Sequence, residues 1–301
     1  MSNKSRKIGI YWFRKALRLH DNPSLIRACN ECDIVYPLFF LDPAFTTKAD
    51  KNSDATAPPA TGASLPSKNV FKFFFETLAD LNKSLKKAPF NSSLVVIRGN
   101  PTILYPKIFA LLSITDLYFE SDTEPYAKQR DNTVFDLCNQ HKVKLHTEYG
   151  HTLYPPDFLI HVVQNKMNKE VPTTYRSFLC LLQNAKDPQK PMDAPSNIPG
   201  GEFVKQLLKN TSFLTEIASI SGMNQHNFAV PALSELCYEE EFKTDKVNAY
   251  EVDDEQVHKY TLFEGGESNA LQTMQQYLAD KSWICKFEKP NTSPNSLYPS
   301  T

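Results

Sequence analysis

The stretch Ile8-Gly9-Ile10-Tyr11-Trp12-Phe13, together with the residues that follow it, decides the fold. It is a short apolar run without helical spacing, which is typical of a buried strand. Asp21-Asn22-Pro23 then has the form of a helix start, because a capping side chain precedes a proline at the first helical position. A second apolar run, Asp33 to Leu41, follows. Strand, helix and strand in this order predict a β-α-β unit with parallel strands.

The same alternation continues along the first half of the chain. Further strands are predicted at Leu94–Ile97, Leu117–Phe119 and Val143–Glu148, and further helices at Ser67–Lys87, Ile103–Leu112 and Glu124–His141. We therefore predict an α/β fold, a Rossmann-like parallel five-stranded sheet with helices on both faces. Ligands of such sheets bind outside the carboxyl ends of the strands, so the segments after Phe13, Leu41, Gly99 and Glu120 are the candidate site.

The alternation ends near residue 150, which predicts three regions. Residues 1–150 form the α/β domain, residues 151–260 an interdomain connector with helices, and residues 261–301 a further region that begins with an amphipathic helix. In the last region, apolar residues at helical spacing follow Gly265-Gly266, and we expect Leu271, Met274 and Leu278 to be exposed. Because the chain ends on a proline-rich segment without a closing element, we expect a truncated product.

Composition limits the classes of function. Lys and Arg number 33 against 34 Asp and Glu, so no strong global attraction to nucleic acid is expected. No apolar segment approaches membrane-spanning length, and the N-terminus lacks a signal-peptide core. We therefore expect a nuclear or cytoplasmic chain without a membrane partner, whose cysteines are free and mostly buried. Cys29 and Cys32 form an isolated C-x-x-C pair, which more often packs structurally than binds zinc or acts in redox chemistry.

Five stretches carry a family resemblance, and they occur in the family's order. They are Trp12 to Pro23 (WFRKALRLHDNP), Phe40 to Pro43 (FLDP), Phe119 to Tyr126 (FESDTEPY) with Arg130-Asp131, His151 to Tyr154 (HTLY), and Phe263 to Glu267 (FEGGE) continuing to Phe287–Thr301 (FEKPNTSPNSLYPST). Together they resemble the N-terminal portion of the DNA photolyase/cryptochrome family. The segment TSPNSL followed by PST, within Thr292–Thr301, resembles the (6-4) photolyase branch rather than the vertebrate clock cryptochromes.

The resemblance implies a flavin-dependent, blue-light-driven (6-4) photolyase that repairs UV photoproducts in DNA. Its cofactor would be FAD, with a deazaflavin or folate as an antenna chromophore in the α/β domain, and UV-damaged DNA would be its partner. The resemblance also implies that residues 261–301 are the truncated start of an all-α FAD-binding domain. Two alternatives stay open: a cryptochrome-type photoreceptor and circadian regulator that binds clock or transcription proteins, or a truncated, non-catalytic interaction module. The family's catalytic residues would lie beyond Thr301, so we expect no photolyase activity from the 301-residue chain alone.

The resemblance assigns four candidate site residues and no metal site. Lys289 and Thr301 match positions at the FAD pocket, although a solvated lysine is an alternative for Lys289. Asp122 and Glu124 match positions that contact a deazaflavin antenna, where carboxylates accept hydrogen bonds. Alternatively, Asp122 only caps the helix that begins there. Val70 stands where relatives carry an arginine that supports the antenna.

A basic cluster follows the first strand and consists of Arg14, Lys15, Arg18 and His20. One interpretation is a structural loop in which Arg14 or Arg18 pairs with Asp42 or Asp21. The other is a contact to the antenna, to a partner domain or to DNA phosphate. The sequence leaves both open. A further departure from the family's motif is Ala16 in place of glycine, which is mild unless that position needs a positive φ.

Overall fold

The computed structural model describes residues 6–42, 68–166, 171–221, 230, 264–279 and 281. The strands of this part are β1 (Ile8–Phe13), β2 (Ile34–Leu41), β3 (Val95–Arg98), β4 (Asp116–Glu120) and β5 (Lys144–Glu148). The helices are α1 (Pro23–Glu31), α2 (Lys68–Lys86), α3 (Pro101–Leu112), α4 (Pro125–Gln140), α5 (Pro156–Lys166), α6 (Tyr175–Asn184), α7 (Gly201–Leu207), α8 (Thr211–Ser221) and α9 (Glu267–Ala279). None of these described helices has the length and apolar character needed to cross a membrane.

The strands form one parallel sheet in the order β3-β2-β1-β4-β5. This confirms the predicted five-stranded α/β fold. The chain adds β2 and β3 on one side of β1 and then returns to add β4 and β5 on the other side. The point where the order reverses lies between β1 and β4, and sheets of this kind bind ligands at such a point.

Helices cover both faces of the sheet, because the central strands are apolar on both sides. On one face, Ile10 and Trp12 pack among residues of α3, α4, α7 and α8. On the other face, Tyr11 and Phe13 pack among residues of α1 and α2. The two cores share no residue, and alternation along β1 sends neighbouring side chains to opposite sides.

Two helix starts show how short polar signals set the element boundaries. Asn22 caps α1: its side-chain oxygen accepts hydrogen bonds from the Leu25 N–H at 3.1 Å and from the Tyr11 hydroxyl at 2.8 Å. Asn100 caps α3 by accepting from the Thr102 N–H at 2.9 Å. Helix α3 therefore begins at Pro101, two residues before the predicted start, because the Asn-Pro pair opens the helix rather than only closing the strand.

Helices α7 and α8 pack more deeply than an interpretation of residues 183–260 as a surface connector predicts. Val204 and Ile217 are completely buried, and Leu207 and Phe213 join the same core as Trp12. Both helices therefore complete the cover of one sheet face. The boundaries at residues 150 and 260 stay predictions.

Helix α9 packs on α2 through two glycines. A Cβ at Gly265 would overlap the backbone carbonyl oxygen of Phe73, and one at Gly266 would lie 2.6 Å from the Asp80 Cβ. Gly266 also has a φ of +123°, which favours glycine. The other side of α9 is exposed at Leu271 (39%), Met274 (53%) and Leu278 (54%), as predicted.

The cysteines of the described residues are free thiols. Cys29, Cys32 and Cys138 are buried, whereas Cys180 is exposed on α6, contrary to the expectation from its apolar neighbours. Burial raises the pKa of the Cys29 thiol to about 12, so this thiol is a poor nucleophile. No cluster of potential metal ligands occurs in the part of the chain that the structure describes.

Candidate functional site

A cavity of about 360 Å³ opens at the carboxyl end of the sheet, beside the reversal point. The segments after β1, β2 and β4 contribute to it, as the strand-end rule predicts for three of the four segments. Helices α2 and α4 close its sides. Its lining combines seven large apolar residues with a charged group: Trp12, Phe13, Leu17, Phe39, Phe40, Leu41 and Phe74 on the apolar side, and Arg14, Lys15, Asp42, Asp122, Glu124 and Arg130 on the charged side.

Trp12 forms an aromatic wall that carries positive charge. The guanidinium carbons of Arg14 and Arg130 lie 4.9 and 4.8 Å from the Trp12 ring, within cation–π range. Asp131 holds both arginines in place: its carboxylate accepts from Arg14 Nη1 at 2.7 Å and from Arg130 Nη2 at 3.1 Å. The two arginines are therefore held against Trp12 by contacts within the protein.

Arg14 retains one donor that its neighbours do not satisfy. Its side chain is 6% exposed, and the nearest carboxylate oxygen to Nη2, on Asp122, is 3.6 Å away. Among the described residues, no hydrogen-bond partner reaches this buried atom. Burial and the neighbouring Arg130 lower the pKa of Arg14. A ligand oxygen that accepts from Nη2 would relieve the cost of this buried, unsatisfied donor.

The two predicted antenna residues, Asp122 and Glu124, both line the cavity. Lys15 bridges them, with Nζ at 3.0 Å from Asp122 Oδ2 and at 2.7 Å from Glu124 Oε1. Although burial opposes it, hydrogen bonds from the Glu124 N–H and from Lys15 lower the pKa of Asp122. Asp122 therefore presents an ionised acceptor at one side of the cavity. The role of Asp122 and Glu124 toward a chromophore stays a prediction.

The helix-start alternative needs a correction. Helix α4 begins at Pro125, and the cap position belongs to Glu124, whose side chain makes no capping bond. Asp122 lies two residues earlier and accepts a hydrogen bond from the Glu124 N–H at 3.1 Å. Asp122 thus orders the turn before the helix instead of capping it, because the turn Asp122–Glu124 already uses its carboxylate.

The basic cluster divides between the two interpretations. Arg18 is structural: it donates to the backbone oxygens of His20 and Asp21, and its Nη2 lies 3.7 Å from the Asp21 carboxylate. Arg14 and Lys15 line the cavity, and Arg14 pairs with Asp131 rather than with Asp42 or Asp21, because its side chain lies over Trp12.

His20 reaches the helical region. Its Nδ1 lies 2.9 Å from Glu267 Oε1. This contact agrees with the second interpretation of the basic cluster, a contact to the region predicted for residues 261–301. Ala16 is buried and is not among the described residues with a positive φ, so the substitution for glycine causes no backbone strain.

The family model for DNA photolyase matches residues 9–196, which include all the cavity residues and all of the sheet except Ile8. The chain belongs to the DNA photolyase family.

Curated relatives of this photolyase-family chain include both photolyases and cryptochromes. It is 31% identical to Cryptochrome-2 of Gallus gallus over 97% of its length and 42% of that protein. It is 33% identical to the (6-4)DNA photolyase of Arabidopsis thaliana over 97% of its length and 45% of that protein. The chain thus spans less than half the length of these relatives.

Two solved structures support the fold. A bacterial class III photolyase from Agrobacterium tumefaciens matches 93% of this chain and 46% of its own with a TM-score of 0.59 at 16% identity. A cryptochrome of Synechocystis matches 64% of this chain and 38% of its own with a TM-score of 0.53 at 19% identity.

The two residues assigned to the FAD pocket, Lys289 and Thr301, lie outside the described residues.

The sequence of this photolyase-family chain did not reveal that Phe74 and Arg130 line the cavity. Helical spacing was the available signal: Phe74 lies four residues after Val70, and Arg130 three residues after Ala127, which places each pair on one helix face. Val70 lines the cavity. That it replaces an arginine which supports an antenna stays a prediction from the resemblance.

Proposed function

We propose that this chain is the light-harvesting portion of a flavin-dependent, blue-light-driven (6-4) photolyase that repairs UV photoproducts in DNA. The cavity at the reversal point of the sheet is the observation that carries the proposal, because it combines an aromatic wall with buried charges of both signs. The 33% identity to a protein named a (6-4) photolyase and the resemblance of Thr292–Thr301 to that branch support the branch assignment. The expected place of action is the nucleus or the cytoplasm.

An antenna chromophore, a deazaflavin or a folate, fits the residues of the cavity. Arg14 Nη2 would donate to a ring oxygen of the chromophore, and the Asp122 and Glu124 carboxylates would accept from its N–H or hydroxyl groups. When bound, such a group absorbs blue light and passes the excitation energy to FAD. Trp12 and Phe74 would exclude water from the ring, and the volume lies within the range of small-molecule sites.

The first experiment is the absorption and fluorescence spectrum of the purified chain and of what it releases on denaturation, followed by titration with riboflavin as a probe. We expect a bound or bindable ring compound and, because Trp12 lines the cavity, partial quenching of the tryptophan fluorescence. Asp122→Asn should weaken riboflavin binding about tenfold, because a charge-assisted acceptor is lost. Asp136→Asn, the same charge change at an exposed position of α4, is the matched control. Equal affinities of the two variants would contradict the assignment of Asp122.

A cryptochrome-type photoreceptor that regulates circadian transcription is the second candidate. It is supported by the 31% identity to Cryptochrome-2 of Gallus gallus over nearly the whole chain. The natural gene expressed in photolyase-deficient cells separates the two candidates. Blue-light repair of a DNA duplex with a (6-4) photoproduct supports the photolyase. Light-dependent binding of clock or transcription proteins without repair supports the cryptochrome.

A further inference from the structure

The segment Gly265 to Ser268, at which α9 begins, contacts the loop after β1 through Glu267. The Glu267 carboxylate accepts hydrogen bonds from the Leu19 N–H at 2.8 Å and the His20 N–H at 2.9 Å, and it also contacts His20 Nδ1 at 2.9 Å. Its side chain is only 14% exposed. Leu19 and His20 belong to the loop after β1, the loop that supplies Arg14 and Lys15 to the cavity.

The same segment also contacts α2. The Gly265 N–H donates to Glu76 Oε2 at 2.9 Å, and the Ser268 N–H donates to Asp80 Oδ2 at 2.9 Å. Glu76 and Asp80 lie on α2, which supplies Val70 and Phe74 to the cavity. A single short segment therefore bridges the loop and the helix that form two sides of the cavity.

Glu267 stabilises the observed conformation of the loop, because it accepts a hydrogen bond from the N–H of the buried residue Leu19. Leu19 is 3% exposed, so its N–H would lose its acceptor without gaining full access to water. Hydrogen bonds to a charged acceptor are among the strongest in proteins. Two further sets of hydrogen bonds hold the loop between Leu19 and the cavity. Arg18 donates to backbone oxygens, and the Leu17 N–H donates to the Lys15 carbonyl oxygen at 3.1 Å; Leu17 and Lys15 both line the cavity.

We propose that Glu267 is a positioning residue that couples the docking of α9 to the binding of a ligand in the cavity, an inference that rests on the proposed chromophore site. By linkage, a ligand that is held by the ordered loop also stabilises the docked α9, and loss of the docking weakens the ligand by the same factor. Neither Glu267 nor Ser268 lines the cavity.

The test compares wild type, Glu267→Gln and the control Glu264→Gln in the full chain. Glu264 lies at the same helix start and loses the same charge, but it is exposed and interacts within the segment, at 3.4 Å from Asn269 Nδ2. Amide hydrogen exchange is measured with and without riboflavin, and the riboflavin Kd is measured by fluorescence. We expect Glu267→Gln to speed exchange of Leu19, His20 and residues 14–17 about tenfold and to raise the Kd about tenfold. Exchange of the β1 and β4 amides should not change.

The reciprocal effect is the readout that a merely structural role would not move. In wild type and Glu264→Gln, riboflavin should slow exchange of the Gly265 and Ser268 amides. The proposal is overturned if riboflavin leaves these amides unchanged, or if Glu267→Gln and Glu264→Gln bind it equally. If wild type binds no riboflavin, the chromophore proposal and the coupling to it both fail. Amide exchange at residues 14–17 then shows separately whether Glu267 orders the loop: faster exchange in Glu267→Gln than in Glu264→Gln shows that it does, and equal exchange overturns that role as well. If Glu267→Gln does not fold, Asp80→Asn, which frees the same segment from α2, is judged by the same criteria.

Discussion

Replacing Ile217 by alanine tests whether α8 belongs to the core of the sheet. Ile217 is completely buried beside residues of β1 and α3, and a buried Ile→Ala change costs about 2–5 kcal/mol. Alanine returns about 0.4 kcal/mol through its higher helix propensity. We therefore expect a net loss of about 3 kcal/mol in the free energy of unfolding. Ile220 lies one turn later on the same helix and is 37% exposed, so Ile220→Ala should cost less than about 1 kcal/mol.

Urea unfolding followed by far-UV circular dichroism measures the difference between the two variants. A gap of about 2 kcal/mol corresponds to midpoints that differ by about 0.7–1 M urea at typical denaturant slopes. The variants share residue type, helix and chemical change, so intrinsic helix propensity cancels. Equal midpoints would refute the packing of α8 on the sheet and would return residues 201–221 to the role of a surface connector.

Three further predictions concern charge. Val70→Arg should tighten riboflavin binding about tenfold by adding a donor to the cavity, whereas Phe73→Arg, one turn away and outside the lining, should not. Burial raises the pKa of Glu120, so the folded state holds this proton more tightly, and the free energy of unfolding falls as pH rises above the unfolded pKa of 4.5. The urea midpoint of Glu120→Gln should therefore rise relative to that of wild type between pH 4 and pH 8. A hydrogen bond from Arg27, with burial opposing, lowers the pKa of Glu31 to about 2, so its stabilisation is present above 4.5 and lost as pH falls toward 2. The advantage of wild type over Glu31→Gln should vanish in that window, and a constant difference would contradict it.

The alternation of apolar strands with amphipathic helices was sufficient to predict the sheet. Each β-α-β unit carries its own local signal, such as the Asn22-Pro23 start of α1 or the strand run that ends at Leu41. The packing of α7 and α8 was not predicted, because Val204 and Ile217 lie in short helices whose partners are far away in sequence. Only the tertiary structure tells a buried apolar residue of such a helix from one that covers a surface.

For the candidate site, too, the sequence predicted the location of some residues but not their partners. Position at the strand ends placed Asp122 in the cavity, and the resemblance gave it a candidate role. Its actual partners depend on side-chain directions that spacing does not reveal: Lys15 reaches across from another loop to bridge Asp122 and Glu124. The partner of Arg14 was wrong for the same reason, since Asp131 lies far away in the chain and becomes adjacent only when α4 folds against β1.

The bridge at the start of α9 gives a physical reason for tying the two regions of the chain together at the cavity. Transfer of excitation energy depends steeply on the distance and the relative orientation of donor and acceptor. If the cavity holds the antenna, its walls need a fixed relation to the helical region that begins at α9. Backbone N–H groups provide contacts of that kind. The Leu19 N–H donates to Glu267, and the Gly265 and Ser268 N–H groups donate to Glu76 and Asp80 of α2. Because the donors are backbone N–H groups, each hydrogen bond constrains the path of the chain at its donor residue. Gly265 and Gly266 allow the close approach to α2 that the hydrogen bonds need.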